Sequence, residues 1–136
     1  MVKLQIVARE KAKPASVATE DELDAALAMW TAAAQAAGRL HLVQLSTQAG
    51  TSLSVALGGT ETVLIFGRRG RKPPYCHSRG TGKAIEPVLV CHAMGQHEME
   101  IPRHLVIPTA RGLAAVKEFA AAGKRPTSIQ WEEMID

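Results

Sequence analysis

The spacing of apolar residues changes along the chain and divides it into predicted elements. Seven residues of the first run fall on one face of a helix: Leu23, Ala26, Leu27, Trp30, Ala33, Ala34 and Ala37. Thr19 and Glu22 have the spacing of an N-terminal capping box, and Gly38 stands where a helix commonly ends. The pattern therefore predicts an amphipathic helix between Thr19 and Gly38.

From Leu40 the apolar spacing falls to two residues, which indicates strands. Apolar residues alternate within 40–45, 53–57 and 63–65, and glycine-containing turns separate these stretches. We therefore predict an antiparallel meander of three strands. Similar patterns predict further extended segments at 2–7, 85–92 and 98–101, and at 105–107 as a lead into a second helix.

The stretches 9–17 and 67–83 are rich in charged residues, and both contain proline, so we predict that they are loops. Strands joined by short turns and framed by an early and a late helix favour an α+β domain. The expected architecture is an antiparallel sheet of about six or seven strands, with two helices packed on one of its faces. The length suits a single domain spanning residues 1–136.

The segment 107–131 predicts the second helix and a last strand. Thr109 follows a proline and can act as the N-cap. The core-facing side of this helix consists of Leu113, Val116, Phe119 and Ala120. Gly123 and Pro126 end the helix, after which Ile129 and Trp131 alternate with polar residues as in a strand.

The same segment resembles the C-terminal signature of the first-numbered immunity protein family of bacterial polymorphic toxin systems, immunity protein family one. The residues that carry the resemblance are Phe119, Gly123, Arg125, Pro126, Ile129 and Trp131. A looser similarity extends over the rest of the chain. The resemblance implies a protein that binds a cognate toxin domain one-to-one and neutralises it. Such toxins are often nucleic-acid deaminases or nucleases, and the immunity proteins are not known as enzymes.

Composition and the lengths of the apolar runs indicate the cellular compartment in which the protein is expected. Hydrophobic residues make up 46% of the 136 residues, and the formal net charge is +3. The apolar runs are far shorter than the roughly 20 residues that span a bilayer, and the first residues lack the pattern of a cleaved leader. We therefore expect a cytoplasmic protein with no membrane partner. Its two cysteines, Cys76 and Cys91, are then expected as free thiols.

Cysteine and histidine stand side by side at Cys76-His77 and at Cys91-His92, with His97 nearby, and all can serve as zinc ligands. Neighbouring residues of a strand point to opposite faces, so each pair would give at most one ligand to a single site. Buried thiols and partly exposed imidazoles explain these residues more simply. We expect neither a metal nor another cofactor.

The run Gly80-Thr81-Gly82-Lys83 invites comparison with a phosphate-binding loop. That motif needs a glycine where His77 stands and a serine or threonine where Ala84 stands. The predicted elements also lack the order strand, loop, helix around it. We therefore predict a flexible loop.

The strongest candidate for a contact surface is the cation-rich loop 67–83. Its cations repel one another and cannot be buried unpaired, so they face solvent or an anionic partner. The residues expected to contact a partner are Arg68, Arg69, Arg71, Lys72, Tyr75, His77 and Arg79. An acidic protein surface would pair carboxylates with the arginines around Tyr75. Nucleic acid would use phosphate contacts and stacking, and a solvated loop without a partner is the third interpretation.

A catalytic set is harder to find in this sequence. Glu98 and Glu100 share one face of a predicted strand, where solvation explains them. A weaker alternative is a hydrolase or metal enzyme built on Cys91, His92 and Glu98. We expect no enzymatic activity. The leading hypothesis is an immunity protein that occludes the active site of its toxin; the alternative is a small nucleic-acid-binding regulator that uses the loop 67–83.

Overall fold

A computed structural model describes residues 1–8, 13–68, 75–83, 85–93 and 97–134. Its helices are α1 (Glu20–Ala37) and α2 (Thr109–Ala122), and a 3-10 turn spans Arg103–Leu105. Its strands are β1 (Leu4–Val7), β2 (Ala15–Val17), β3 (Leu40–Thr47), β4 (Thr51–Leu57), β5 (Glu61–Thr62), β6 (Leu64–Arg68), β7 (Tyr75–Ser78), β8 (Leu89–Ala93), β9 (His97–Ile101), β10 (Ile107–Pro108) and β11 (Trp131–Met134). Neither described helix is long and apolar enough to cross a membrane.

The first helix begins and ends as the sequence predicts. The backbone N–H of Glu22 donates to Oγ1 of Thr19, the N-cap, at 3.2 Å. The Glu22 carboxylate accepts from the backbone N–H of Ala18 at 3.2 Å, so a second donor at this end is satisfied. At the other end Gly38 takes the left-handed conformation, with φ of 69°.

Nine of the described strands form one sheet around the pair β3–β4. The strand order is β11-β7-β6-β4-β3-β1-β2, and the hairpin β8–β9 joins the sheet at β3. β8 runs parallel to the first residues of β3, whereas the other pairs are antiparallel. The α+β class with a large antiparallel sheet confirms the prediction, although nine strands exceed the expected six or seven.

One face of the sheet, hereafter the helix face, carries the larger core. The cross-strand pairs Val43–Val55 and Leu45–Leu53 belong to this core and are fully buried. α2 adds Phe119, which is also fully buried. Both helices contribute to the same core, as predicted, because alternate residues of each strand and one stripe of each helix are apolar.

The opposite face, hereafter the outer face, is covered only in part. A second apolar cluster lies on it and consists of Leu42, Ala56, Val63, Cys91, Ile101, Leu105 and Val106. Cys91 of β8, Ile101 of β9 and Leu105 of the 3-10 turn belong to this cluster, and they join Leu42 and Ala56 at one end of β3 and β4. The other end of these two strands lines an open groove instead.

The connection from α2 to β11 contains the residues of the C-terminal signature. Gly123 takes φ of 71°, and its N–H donates to the carbonyl of Phe119 at 2.6 Å. It therefore ends the helix as predicted. Its own carbonyl accepts from Oγ1 of Thr51 at 2.8 Å, which links this corner to the start of β4. Nε1 of Trp131 donates to the carbonyl of Pro126 at 2.7 Å and fixes the way into the last strand.

Some predicted boundaries are wrong because long-range pairing overrides local composition. β6 continues to Arg68 and Tyr75–Ser78 forms β7, so the stretch 67–83 is not one loop. The connection predicted over 9–17 contains β2, which pairs with β1. The strand expected over 85–92 begins only at Leu89.

The start of α2 and the start of the strand that follows it also differ from the prediction. The N-cap of α2 is Pro108, and the hydroxyl of Thr109 donates instead to the carbonyl of Gly59 at 2.8 Å. The lead into this helix contains the 3-10 turn. Ile129 precedes β11 and is buried without belonging to a strand.

A carboxylate that the sequence analysis did not single out holds the corner after α2. Oε1 of Glu118 accepts from the backbone N–H of Thr127 at 2.8 Å and from its hydroxyl at 2.7 Å. Oε2 accepts from the N–H of Ser128 at 3.2 Å. Because these bonds, led by the one from the Thr127 N–H, favour the ionised form, they lower the pKa of Glu118 from 4.5 to about 2.

We expect the variant Glu118→Gln to remove a pH-dependent part of the stability. A depressed carboxyl pKa stabilises the fold fully above its unfolded value of 4.5, and this contribution is lost as the pH falls toward 2. Urea unfolding of parent and variant should therefore differ most near neutral pH, and the two should converge in acid. A difference that stays constant between neutral and acid pH would contradict the role assigned to the carboxylate.

Candidate functional site

An open groove, hereafter the outer groove, crosses the uncovered end of the outer face. Its volume is about 860 Å³, which lies within the range of ligand-binding clefts. Its lining consists of Leu42, Gln44, Ser46, Thr47, Gly50, Thr51, Ser52, Ser54, Ile65, Gly67, Arg68, Tyr75, Ala93, His97 and Met99. These residues come from β3, β4, β6 and β7, from the turn between β3 and β4, and from the hairpin β8–β9.

The floor of the outer groove is polar. Two cross-strand pairs of β3 and β4 form it, Gln44–Ser54 and Ser46–Ser52. All four residues are partly buried, and none of their side chains makes a hydrogen bond within the described part of the chain. The next pair on this face is apolar and belongs to the second cluster. The floor therefore offers side-chain donors and acceptors that the fold itself does not use.

The walls of the outer groove are apolar and aromatic. Ile65 and Met99 pack against the second cluster and also line the groove. Tyr75 lines it from β7 and lies beside Gly67, where an added Cβ atom would be 3.4 Å from Cδ1 of the ring. This distance is an ordinary van der Waals contact, so the Tyr75 ring packs beside Gly67 of β6.

The lining of the outer groove carries charge of one sign. Among the residues that the structure describes, the lining contains no aspartate or glutamate. Arg68 is exposed at the end of β6, lines the groove, and forms no ion pair with any carboxylate in the described ranges. An unpaired guanidinium beside a groove without carboxylates favours a partner that brings negative charge.

The structure brings some of the predicted contact residues together and separates others. Arg68 and Tyr75 both line the outer groove. Arg79 is exposed beyond the end of β7, and it does not line the groove. Three further predicted contact residues lie outside the described residues: Arg69, Arg71 and Lys72.

His77, also a predicted contact residue, is only partly exposed. It pairs across strands with Glu132 of β11, whose carboxylate lies 3.1 Å from Nε2 of His104. Burial lowers the pKa of His77 below its ordinary value of 6.5, and the nearby Glu132 opposes this effect while His104 adds to it. The His77 imidazole therefore lies close enough to Glu132 of β11 and His104 of the 3-10 turn to interact electrostatically with both.

The stretch after β7 is a loop, as predicted, and its two glycines are packed closely against the segment 103–106. The N–H of Gly80 donates to the carbonyl of His104 at 2.7 Å. A side chain at Gly80 would collide with the carbonyl of Val106, and one at Gly82 would collide with Arg103. These glycines serve close backbone packing and do not form a phosphate-binding loop.

The cysteines are both buried and free, as predicted, and Cys91 belongs to the second apolar cluster. Sγ of Cys76 accepts from an Nη atom of Arg125, a residue of the C-terminal signature, at 3.3 Å. Burial raises the pKa of the Cys91 thiol to about 11, so this thiol stays protonated near neutral pH. Across the described ranges no three histidine, cysteine, aspartate or glutamate residues group as a metal site would require.

The enzyme alternative built on Cys91, His92 and Glu98 lacks an activated nucleophile. Nε2 of His92 lies 4.0 Å from Oε1 of Glu98, beyond hydrogen-bond distance. Cys91 belongs to the second cluster and is fully buried. A protonated, buried thiol does not suit nucleophilic catalysis.

The polar floor of the groove is the part of the site that sequence reasoning missed. Its serines and Gln44 occupy alternate positions of two predicted strands, which is the ordinary pattern of a solvated face. The informative signal was the change along the same face, from Leu42 to Gln44 on β3 and from Ala56 to Ser54 on β4. Such a change indicates that the cover ends partway along the strands.

The chain is similar to a known protein family. A family model described as Immunity protein Imm1 matches residues 11–133, nearly the whole chain. The matched range includes the outer groove and the corner after α2, where the C-terminal signature lies. No curated protein matches the chain.

The packing of the loop after β7 leads to a test. We expect Gly80→Ala to lower the free energy of unfolding by about 1–3 kcal/mol, because the added methyl group overpacks the contact with Val106. Thr81→Ala, an exposed change in the same loop, should stay within about 0.5 kcal/mol of the parent. Urea unfolding of the three proteins measures both values, and an equal effect of the two changes would refute the close contact.

Proposed function

The chain belongs to the Imm1 family of immunity proteins, and we propose that it binds a cognate toxin domain and neutralises it in the cytoplasm of the producing cell. The family match over residues 11–133 is the observation that carries this proposal. The toxin would belong to a polymorphic toxin system used in competition between bacteria. The protein would act by binding one toxin domain per chain, without catalysis.

The contact surface is the basic side of the outer groove, within the segment 67–83. Arg68 supports this placement because it is exposed and has no ion-pair partner in the described residues. Tyr75 lines the same groove and offers an aromatic anchor of the kind that dominates protein interfaces. Arg69, Arg71, Lys72, His77 and Arg79 remain proposed contacts on the strength of the sequence alone.

Neutralisation would occur by steric and electrostatic occlusion of the toxin active site by the bound immunity protein. The sheet supports such a role because its outer groove rests on paired strands and would keep its shape on binding. Occlusion needs no chemistry from the immunity protein. A toxin that acts on nucleic acid, such as a deaminase or a nuclease, fits this mechanism.

We expect the chain and the toxin domain encoded beside its gene to elute as a single one-to-one complex when they are coexpressed. The measurement is size-exclusion chromatography with light scattering, using an inactivated toxin domain. The active toxin should in addition lose its activity when the purified chain is added. Separate elution of the two proteins at micromolar concentration, about the level where a weak specific complex still forms, would refute the proposal.

Arg68→Glu should weaken toxin binding mainly by slowing association, by about two- to tenfold at low salt. The reason is that an exposed rim charge steers the encounter of two proteins more than it stabilises the complex. Arg111→Glu, on the exposed side of α2, changes the net charge equally and does not line the groove. Kinetic binding at low and high salt measures both variants.

Equal association rates for the Arg68→Glu and Arg111→Glu variants would remove Arg68 from the interface. The same titration also separates the proposal from the nucleic-acid-binding alternative. Tight binding of the parent chain to single-stranded nucleic acid, with a steep salt dependence from released counterions, would favour the regulator instead.

A further inference from the structure

We propose that the outer groove receives an acidic segment of the toxin domain, with a carboxylate and a neighbouring apolar side chain inserted over β3 and β4. This inference rests on the proposed function and specifies the chemistry of the partner. The proposal joins three observations: a polar floor, lining residues without acidic groups, and apolar walls.

The floor supports insertion of an acidic segment because its polar side chains have no hydrogen-bond partners within the described part of the chain. Ser46, Ser52, Ser54 and Gln44 make no side-chain hydrogen bonds within the described part of the chain. Partly buried hydroxyl and amide groups gain from a partner that replaces the water they lose. Hydroxyl and amide groups donate well to a carboxylate, and such charge-assisted bonds are about twice as strong as neutral ones.

Charge selects an acidic segment over a basic one. The lining has no carboxylate, whereas Arg68 stands at the groove without an ion pair in the described residues. A lysine or arginine side chain in the groove would meet no anion among these lining residues and would face Arg68. A carboxylate would meet the guanidinium at one end and the hydroxyl groups along the floor.

The apolar walls favour a toxin segment in which an apolar side chain stands next to the carboxylate. Tyr75, Ile65 and Met99 present an aromatic ring, a branched side chain and a flexible thioether to the groove. An apolar side chain next to the acidic one would be covered by them. A loop or helix end that carries a carboxylate beside an apolar side chain therefore fits the groove.

The experiment compares two substitutions at one floor position: one introduces a carboxylate, and the other introduces a neutral side chain of the same size. Ser54→Glu and Ser54→Gln both fill part of the groove, and they differ only in charge. Ala32→Glu, on the exposed side of α1, adds the same charge away from the groove. Binding of each variant to the inactivated toxin domain encoded beside the gene is measured by calorimetry at low salt, with thermal unfolding as the check on folding.

We expect Ser54→Glu to weaken binding at least about tenfold more than Ser54→Gln, and Ala32→Glu to bind like the parent. Equal loss in both Ser54 variants would place a neutral segment in the groove and overturn the acidic assignment. Unchanged binding of both Ser54 variants would remove the toxin from the groove while the immunity role stands. A parent chain that does not bind the toxin would overturn the proposed function together with this inference.

If Ser54→Glu does not fold, Ser46→Glu and Ser46→Gln repeat the comparison at the neighbouring floor position, with the same expected difference. Ser46 pairs with Ser52 on the same face, so the test of charge is unchanged. A tighter complex with Ser46→Glu than with Ser46→Gln would show a basic segment in the groove and overturn the proposal.

Discussion

The pairing of β3 with β4 is the constraint on which the rest of the structure depends. Six residue pairs join these strands, and the pleat sends alternate pairs to opposite faces. Val43, Leu45, Leu53 and Val55 turn to the helix face and are fully buried, where each contributes about 1.5–3 kcal/mol. A slip of one residue would exchange these side chains with Gln44, Ser46, Ser52 and Ser54. The same register that buries the core therefore also sets the polar floor of the outer groove.

The C-terminal signature stabilises the fold more than it forms the groove. Gly123 ends α2 and links it to Thr51, and Trp131 reaches back to Pro126 while its ring lies 6.2 Å from that of Phe66. Arg125 donates to Cys76 across the helix-face side of β7. None of the signature residues lines the outer groove. The residues that carry the family resemblance therefore stabilise the architecture, and the contact surface proposed above lies in a different part of the chain.

Local pattern was enough to predict the helices, the meander β3–β4–β6 and the side on which the helices pack. The capping box at Thr19 and the glycines after both helices act within one turn of chain, so the sequence shows them directly. β7 could not be predicted in this way, because Tyr75–Ser78 is a strand through its pairing with β6 and β11, and nearby cations and prolines hide its alternation. Of the predicted contact residues, Arg68 and Tyr75 do line the groove. The floor was missed because a polar strand face looks the same in sequence whether it is open or part of a groove.

The separation of the two faces has a consequence for the evolution of specificity. Substitutions of partly exposed polar residues such as Ser52 and Ser54 typically change stability by no more than about 0.5 kcal/mol, because no hydrogen bond of the described fold depends on them. Truncation of a buried aromatic residue on the helix face to alanine, for example at Phe119, typically lowers the free energy of unfolding by about 3–5 kcal/mol. With the contact surface proposed above, such a chain would exchange the residues of its outer groove, and with them its partner, while the core and the corner after α2 stay constant. The proposed recognition by the floor of the sheet would allow this exchange, because alternate residues of one strand lie on opposite faces and only one set contributes to the core.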